Sequence, residues 1–249
     1  MILLGLQPFL CYNLIMSVLT AVGILLLSML VLAVLQLVPG IFLLFSHFTR
    51  GKYSRVHAND LNIFFIIGVE TAMVLVFLSL YAILCCSPAV TFIIDSDIFI
   101  WVMAGISLAL SLISFIFYFR SGRGTELFIS RRMAKGIKHK ITITKTRSDA
   151  FVLGLVSIVP ELIFTLPLIL LSAIEIMRLN INCPERACLI ILFAVAAIFP
   201  LLLIHGFSAN GHTLAEFTRF RFKNKPFFRF WLSFSYFLIA ILIILGVLL

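Results

Sequence analysis

The sequence predicts an all-α integral membrane protein in which six transmembrane helices form two inverted three-helix repeats. The 249 residues are 63% hydrophobic and 12% charged, whereas soluble domains are about 45–50% apolar and about 25% charged. The apolar runs are continuous over about 20 residues or more, which is typical of spanning helices and unlike the alternating segments of a lipid-facing β-barrel. This composition excludes a soluble globular protein and a disordered chain.

Six spans follow from these runs, and each approaches or exceeds the ~20 residues needed to cross a bilayer. They are residues 13–48, 61–85, 98–119, 150–177, 187–207 and 228–248. A helix over the whole first run would measure about 54 Å, so that span is expected to be tilted or broken. No positive charge precedes this run, so we interpret it as a retained span and not as a signal peptide.

The distribution of basic residues predicts the orientation. Seventeen of the 19 basic residues lie in three connections, 47–60, 120–149 and 206–230. The positive-inside rule places these connections in the cytoplasm, and six crossings then leave both termini outside it. Trp101 and Trp231 begin spans at opposite surfaces, as interfacial aromatic residues do. We therefore expect a multi-pass protein of the cell membrane with both termini extracytoplasmic.

The 120–149 connection divides the chain into a first repeat (1–119) and a second repeat (150–249). It carries nine basic residues. Thr125 could cap a short helix, after which four apolar residues fall largely on one face: Leu127, Phe128, Met133 and Ile137. The pattern predicts a helix on the inner leaflet. A solvated loop, a docking site for an acidic partner and gating by anionic lipid are the alternative interpretations.

Three spans in each half give the halves opposite orientations, which is the layout of an inverted repeat. Each half opens with a span that proline interrupts: Pro39-Gly40 in the first, and Pro160-Glu161, 121 residues later, in the second. Proline removes a backbone donor and frees a carbonyl, which in lipid must be satisfied by protein or water. Paired breaks therefore predict a central binding site, and packed kinks without a ligand are the alternative.

Two acidic residues, Glu70 and Glu161, lie ~14–17 Å inside the predicted cytoplasmic boundary, near the midplane. No basic residue shares this depth. A carboxylate at this depth costs several kcal/mol unless it is protonated, paired or hydrated. We expect one or both to bind a cation, a cationic group or a proton, and the alternative is a protonated acid bonded to a neighbouring helix. Three further residues could add polar contacts: Gln36, Thr71 and Thr165.

The five cysteines fall at the predicted outer side, where Cys183 and Cys188 could close a disulfide. The chain contains no nucleotide-binding loop, zinc motif or nucleophile motif, so it predicts neither an enzyme nor a cofactor or metal site. Because the basic residues are explained by topology, no nucleic-acid partner is expected.

Six segments carry a resemblance to a known family: Leu37-Val38-Pro39-Gly40, Gly51-Lys52, Gly68-Val69-Glu70, Arg120-Ser121-Gly122-Arg123, 149–154 leading to Pro160, and Phe227-Phe228-Arg229-Phe230. Together they resemble the lysine exporter (LysE) superfamily of small six-span transporters over most of the chain. The related CcdA/DsbD-type electron relays are similar in layout, but this chain lacks their proline-adjacent cysteines.

The sequence therefore predicts a secondary transporter, an exporter of a small molecule or ion, that works by alternating access around a midplane site. Coupling to a proton or cation would run through the intramembrane glutamates. A membrane scaffold or assembly subunit that does not transport is the second hypothesis, and a transmembrane thiol relay is the third. The expected partners are the lipid bilayer, the transported substrate, anionic lipid at 120–149 and further copies of the chain.

Overall fold

The computed structural model describes residues 7–37, 41–87, 92–94, 96–117, 131–179, 181–209, 216, 219–220 and 223–248, and strands are absent from these ranges. The main elements are α1 (Gln7–Leu37), α2 (Ile41–Lys52), α3 (Arg55–Cys86), α4 (Asp97–Phe117), α5 (Arg131–Ile143), α6 (Arg147–Ser157), a 3-10 turn (Val159–Glu161), α7 (Leu162–Arg178), α8 (Cys183–Ala209) and α9 (Lys225–Leu248).

Five of the described helices, α1, α3, α4, α8 and α9, are long and apolar enough to cross a membrane. The pair α6 and α7 makes a sixth candidate if it is counted as one broken span. Large apolar side chains such as Leu19, Ile63 and Leu112 are exposed on the outside of the bundle, as expected where lipid is the solvent. The prediction of a multi-pass helical membrane protein is confirmed at this level.

The helix boundaries extend the predicted spans at several ends. Helix α3 begins at Arg55, before the predicted start at Leu61, because the side chain of Ser54 caps it by accepting a hydrogen bond from the amide of His57. Such a cap satisfies one of the amides that a helix leaves unpaired at its start. The first turns of α3 therefore continue the spanning helix towards the basic connection.

Helix α7 lies in the interior of the bundle. It packs against α1, α3 and α4, while α9 pairs with α4 and α1, and α8 packs against α1 and α3. The hydroxyl of Tyr236 on α9 donates a 2.8 Å hydrogen bond to the carbonyl of Phe164 on α7, and this tyrosine is fully buried. The second half of the broken span is thus held among helices from both halves of the chain.

Two glycines bring α3 and α6 into backbone contact. A Cβ atom at Gly68 would lie 2.2 Å from the carbonyl oxygen of Phe151, and one at Gly154 would lie 2.2 Å from that of Phe65. Only a residue without a side chain permits so close an approach. Small residues at helix interfaces are the usual device for close packing in membranes.

The three basic connections meet at one end of the bundle. Arg147 forms an ion pair with Asp60 between the second and first connections, and the guanidinium of Arg229 in the third lies 5.6 Å from the ring of Phe115, near the end of α4 that leads into the second. We call this the basic end. That this end faces the cytoplasm stays a prediction.

Helix α5 lies at the basic end and packs on α2 and α6. Ile137 and Ile141 are buried on it, and the hydroxyl of Tyr53 donates to the carbonyl of Thr144 just beyond it. A helix is therefore present in the basic connection over 131–143, with its buried isoleucines turned towards protein, and its predicted place on the inner leaflet stays a prediction. Thr125, Leu127 and Phe128 and the side chain of Met133 lie outside the described residues.

Candidate functional site at the break of the fourth span

The start of the fourth span is fixed by a capping box. The side chain of Thr146 accepts a hydrogen bond from the amide of Asp149, and the Asp149 carboxylate accepts one from the amide of Thr146. This exchange satisfies two amides that would otherwise lack partners. Helix α6 consequently begins at Arg147, next to the ion pair with Asp60.

The fourth span breaks where Pro160 interrupts it. Helix α6 ends at Ser157, the 3-10 turn Val159–Glu161 follows, and α7 leaves at 78° to α6. Pro160 has no amide to donate. The amide of Glu161 donates to the carbonyl of Ile158 at 2.8 Å, which releases the carbonyl of Ser157 from the α-helical pattern. The predicted proline break of this span is confirmed.

The corresponding break in the first span lies largely outside the described residues. Helix α1 ends at Leu37 and α2 begins at Ile41, whereas Pro39 and Gly40 fall in the range 38–40, which is not described. The side chains of Gln36 and Pro160 are also outside the description. A site framed by both breaks therefore stays a prediction.

Glu161 and Thr165 are brought together at the start of α7. Glu161 closes the 3-10 turn and is 8% exposed, and Thr165, one turn further on, is completely buried. Residues four apart lie on the same face of a helix. The hydroxyl of Thr165 has no hydrogen-bond partner among the described residues. The break thus places a buried carboxyl group and a buried hydroxyl group side by side.

Glu70 lies on α3, which packs against both α6 and α7. One of its carboxylate oxygens is buried without a hydrogen-bond partner in the described part of the chain. Helices α3 and α6 both start at the basic end and meet again at the glycine contact, so they run in the same direction. Glu70 and Glu161 therefore both lie beyond that contact, on the side away from the basic end.

Thr71 does not contribute a free hydroxyl to this region. Its hydroxyl donates a 2.7 Å hydrogen bond to the carbonyl of Ile67 on its own helix. Threonine in a helix commonly bonds to the carbonyl one turn back in this way.

Sequence reasoning missed three buried serines on the helices around Glu161. The unpartnered hydroxyls among the described residues include those of Ser28 on α1, Ser114 on α4 and Ser172 on α7, all of them completely buried. Ser172 follows Thr165 by two turns, a spacing that puts both on one face of α7 and could have revealed it. Buried unpaired polar groups require an explanation, such as water or an ion.

The cysteines cluster away from the break. Cys85 and Cys86 end α3, Cys183 and Cys188 lie in the first turns of α8, and all four thiols are exposed and free. Residues five apart on a helix point about 140° away from each other, so a bond between Cys183 and Cys188 would require the start of α8 to unwind. That disulfide stays a prediction, and the side chain of Cys11 lies outside the described residues.

No group of three or more potential metal ligands occurs among the described side chains. The chain matches no protein-family model, no curated protein and no solved structure. The fold defines a class, the multi-pass helical membrane proteins, with five described helices long enough to span and one bent helix pair. The resemblance to the lysine exporter superfamily stays a prediction.

Proposed function

We propose that this protein is a secondary transporter, an exporter that moves a small molecule or ion by alternating access around the break between α6 and α7. Glu161, and with it Glu70, would hold the coupling proton or cation. Thr165 and the neighbouring buried hydroxyls would bind water or substrate during the cycle.

The observation that carries this proposal is the burial of Glu161 at a proline break inside an apolar bundle. An ionised carboxylate in such surroundings is costly and usually marks an ion or substrate path. The end of α6 presents carbonyl oxygens, including that of Ser157, and these attract cations. A proton or cation at Glu161 would therefore be stabilised both by the carboxylate and by these carbonyl oxygens.

A second observation supports the inverted repeat that alternating access would use. Ser111 on α4 and Ser233 on α9 exchange hydrogen bonds: each hydroxyl donates to the other residue's carbonyl, at 2.8 and 3.0 Å. They are 122 residues apart, close to the 121 that separate Pro39 from Pro160. Helices related by a two-fold axis meet at equivalent residues, so this pair is the expected site of the axis between the repeats.

The glycine contact between α3 and α6 indicates which conformation of the transport cycle this structure would correspond to. Backbone atoms touch at Gly68 and Gly154, which closes the seam between these helices on the basic side of Glu70. In a transporter this seam opens during the cycle. In a membrane scaffold, the second candidate function, the seam stays closed. The tight contact favours this second candidate.

The test is gradient-driven flux in proteoliposomes. The purified protein is reconstituted, a pH gradient is imposed, and uptake and efflux are followed for a panel of amino acids and metal cations. We expect flux in wild type and its loss in Glu161→Gln, which keeps the size of the side chain and removes its charge. Glu185→Gln is the matched control, because Glu185 is exposed at the opposite end from the basic connections.

The results separate the hypotheses. Equal flux and equal pH dependence in wild type, Glu161→Gln and Glu70→Gln would refute coupling through these residues. A folded protein that moves none of the panel would favour the scaffold. The thiol relay gains no support from the described cysteines, which all lie at one end of the bundle.

A further inference from the structure

A pocket opens on the lipid-facing side of the bundle between α1 and α9. Its volume is about 230 Å³ and its walls are almost wholly apolar. It is lined by Leu30, Val31, Val34, Phe227, Phe228, Trp231, Leu232 and Ser235. Because α9 begins at the basic end, the aromatic part of the pocket lies close to the basic connections.

The lining residues of α9 form two adjacent rows along the helix. Phe228, Leu232 and Ser235 are three or four positions apart and lie in one row, and Phe227 and Trp231 lie in the other. One turn towards the basic end, the first row continues into Lys225, the first residue of α9, and Lys223 lies two residues before the helix. Two lysines therefore lie, along the chain, within four residues of the aromatic residues that line this end of the pocket.

The aromatic residues indicate the depth of this end. The rings of Phe227 and Trp231 meet edge to face at 5.9 Å, and Phe227 also meets Phe228 at 6.1 Å. Tryptophan at the end of a spanning helix prefers the level of the lipid headgroups. The pocket thus begins at headgroup level and continues into the hydrocarbon layer.

We propose that this pocket binds an acyl chain of an anionic phospholipid in the leaflet at the basic end, with the phosphate bound by Lys223 and Lys225. The apolar walls fit a hydrocarbon chain and offer a polar ligand almost nothing to bond. The two lysines complement a negatively charged headgroup, and each is expected to favour binding about fivefold. A zwitterionic lipid can fill the pocket but gains little from the lysines.

Tryptophan quenching by brominated lipids tests this directly, because Trp101 and Trp231 are the two tryptophans of the chain. The variant Trp101→Phe keeps only Trp231, whose fluorescence reports from the pocket. The variant Trp231→Phe keeps only Trp101, whose fluorescence reports from the opposite end. Each is reconstituted in phosphatidylcholine with rising fractions of brominated phosphatidylglycerol or brominated phosphatidylcholine. We expect the anionic lipid to quench Trp231 at a severalfold lower fraction than the zwitterionic one, and Trp101 to show no preference.

Charge variants in the Trp101→Phe background locate the headgroup site. The double variant Lys223→Gln/Lys225→Gln should remove the preference, whereas Lys138→Gln/Lys140→Gln, with the same charge change on exposed positions of α5, should retain it. Val34→Phe, which narrows the pocket, should weaken quenching by brominated phosphatidylglycerol without any change of charge.

Three results would overturn the proposal. The first is equal quenching of Trp231 by the two lipids. The second is a preference that survives the loss of Lys223 and Lys225, which would indicate a general effect of the basic surface. The third is quenching unchanged by Val34→Phe, which would show that the acyl chain lies outside the pocket.

Discussion

Replacing Gly68 by alanine should destabilise the protein because α3 and α6 touch through their backbones at this point. The added Cβ would lie 2.2 Å from the carbonyl oxygen of Phe151 and 3.2 Å from the Cα of Gly154. These atoms belong to a helix backbone, so they cannot rotate aside as the end of a side chain can. The two helices must move apart.

The expected magnitude follows from two opposing effects. Overpacking a tight contact costs about 1–3 kcal/mol, and the rigid partner places Gly68→Ala at the upper end. Alanine regains about 1 kcal/mol over glycine in helix propensity. We therefore expect the free energy of unfolding to fall by about 2 kcal/mol. Gly154→Ala should behave alike, and the double variant should cost less than the sum because the first substitution already separates the helices.

The assay is equilibrium unfolding in mixed micelles with increasing dodecyl sulfate, followed by tryptophan fluorescence and circular dichroism. Gly105→Ala is the matched control, since a Cβ at this position in α4 has no neighbouring atom within 4 Å. Its stability should be unchanged or raised by up to about 1 kcal/mol. Equal stabilities of Gly68→Ala and Gly105→Ala would refute the close contact between α3 and α6.

Four further substitutions test other contacts in the same unfolding assay. Tyr236→Phe removes a buried hydrogen bond from α9 to α7 and should cost about 1 kcal/mol; no change would mean that the bond is absent. Thr146→Ala removes the cap of α6 and should also cost about 1 kcal/mol, while Ser148→Ala nearby should stay within about 0.5 kcal/mol. Ser111→Ala and Ser233→Ala each remove one hydrogen bond between α4 and α9 and should each cost about 0.6 kcal/mol; unchanged stability of either variant would argue against that bond.

The features that sequence predicted well are those set by local chemistry. The spanning helices follow from the length of the apolar runs, and the break of the fourth span coincides with Pro160, which has no amide to donate. Proline alone does not fix a break, because Pro167 and Pro200 lie inside α7 and α8. The convergence of the basic connections follows from their charge. None of these features depends on which helix packs against which.

The features that sequence reasoning missed depend on contacts between distant segments. Gly68 and Gly154 meet only because α3 and α6 run side by side. The sequence of either segment does not indicate that it packs against the other. Ser28 and Ser114 are ordinary serines in the sequence, and only the packing of the bundle makes them completely buried. The sequence therefore predicted the break at Pro160 and drew attention to the two glutamates, but it did not predict the buried hydroxyls on the neighbouring helices.

Alternating access at the break is the central claim, and the accessibility of residue 165 tests it most directly. Thr165→Cys, in a chain whose five native cysteines are replaced by serine, is reconstituted and treated with a membrane-impermeant thiol reagent on one side at a time. Lys138→Cys, exposed at the basic end, reports the orientation of each preparation.

We expect the thiol at position 165 to react from the basic side under one direction of the pH gradient and from the opposite side when the gradient is reversed. A thiol that reacts from the same side under both gradients, or from neither side in the folded protein, would contradict the account.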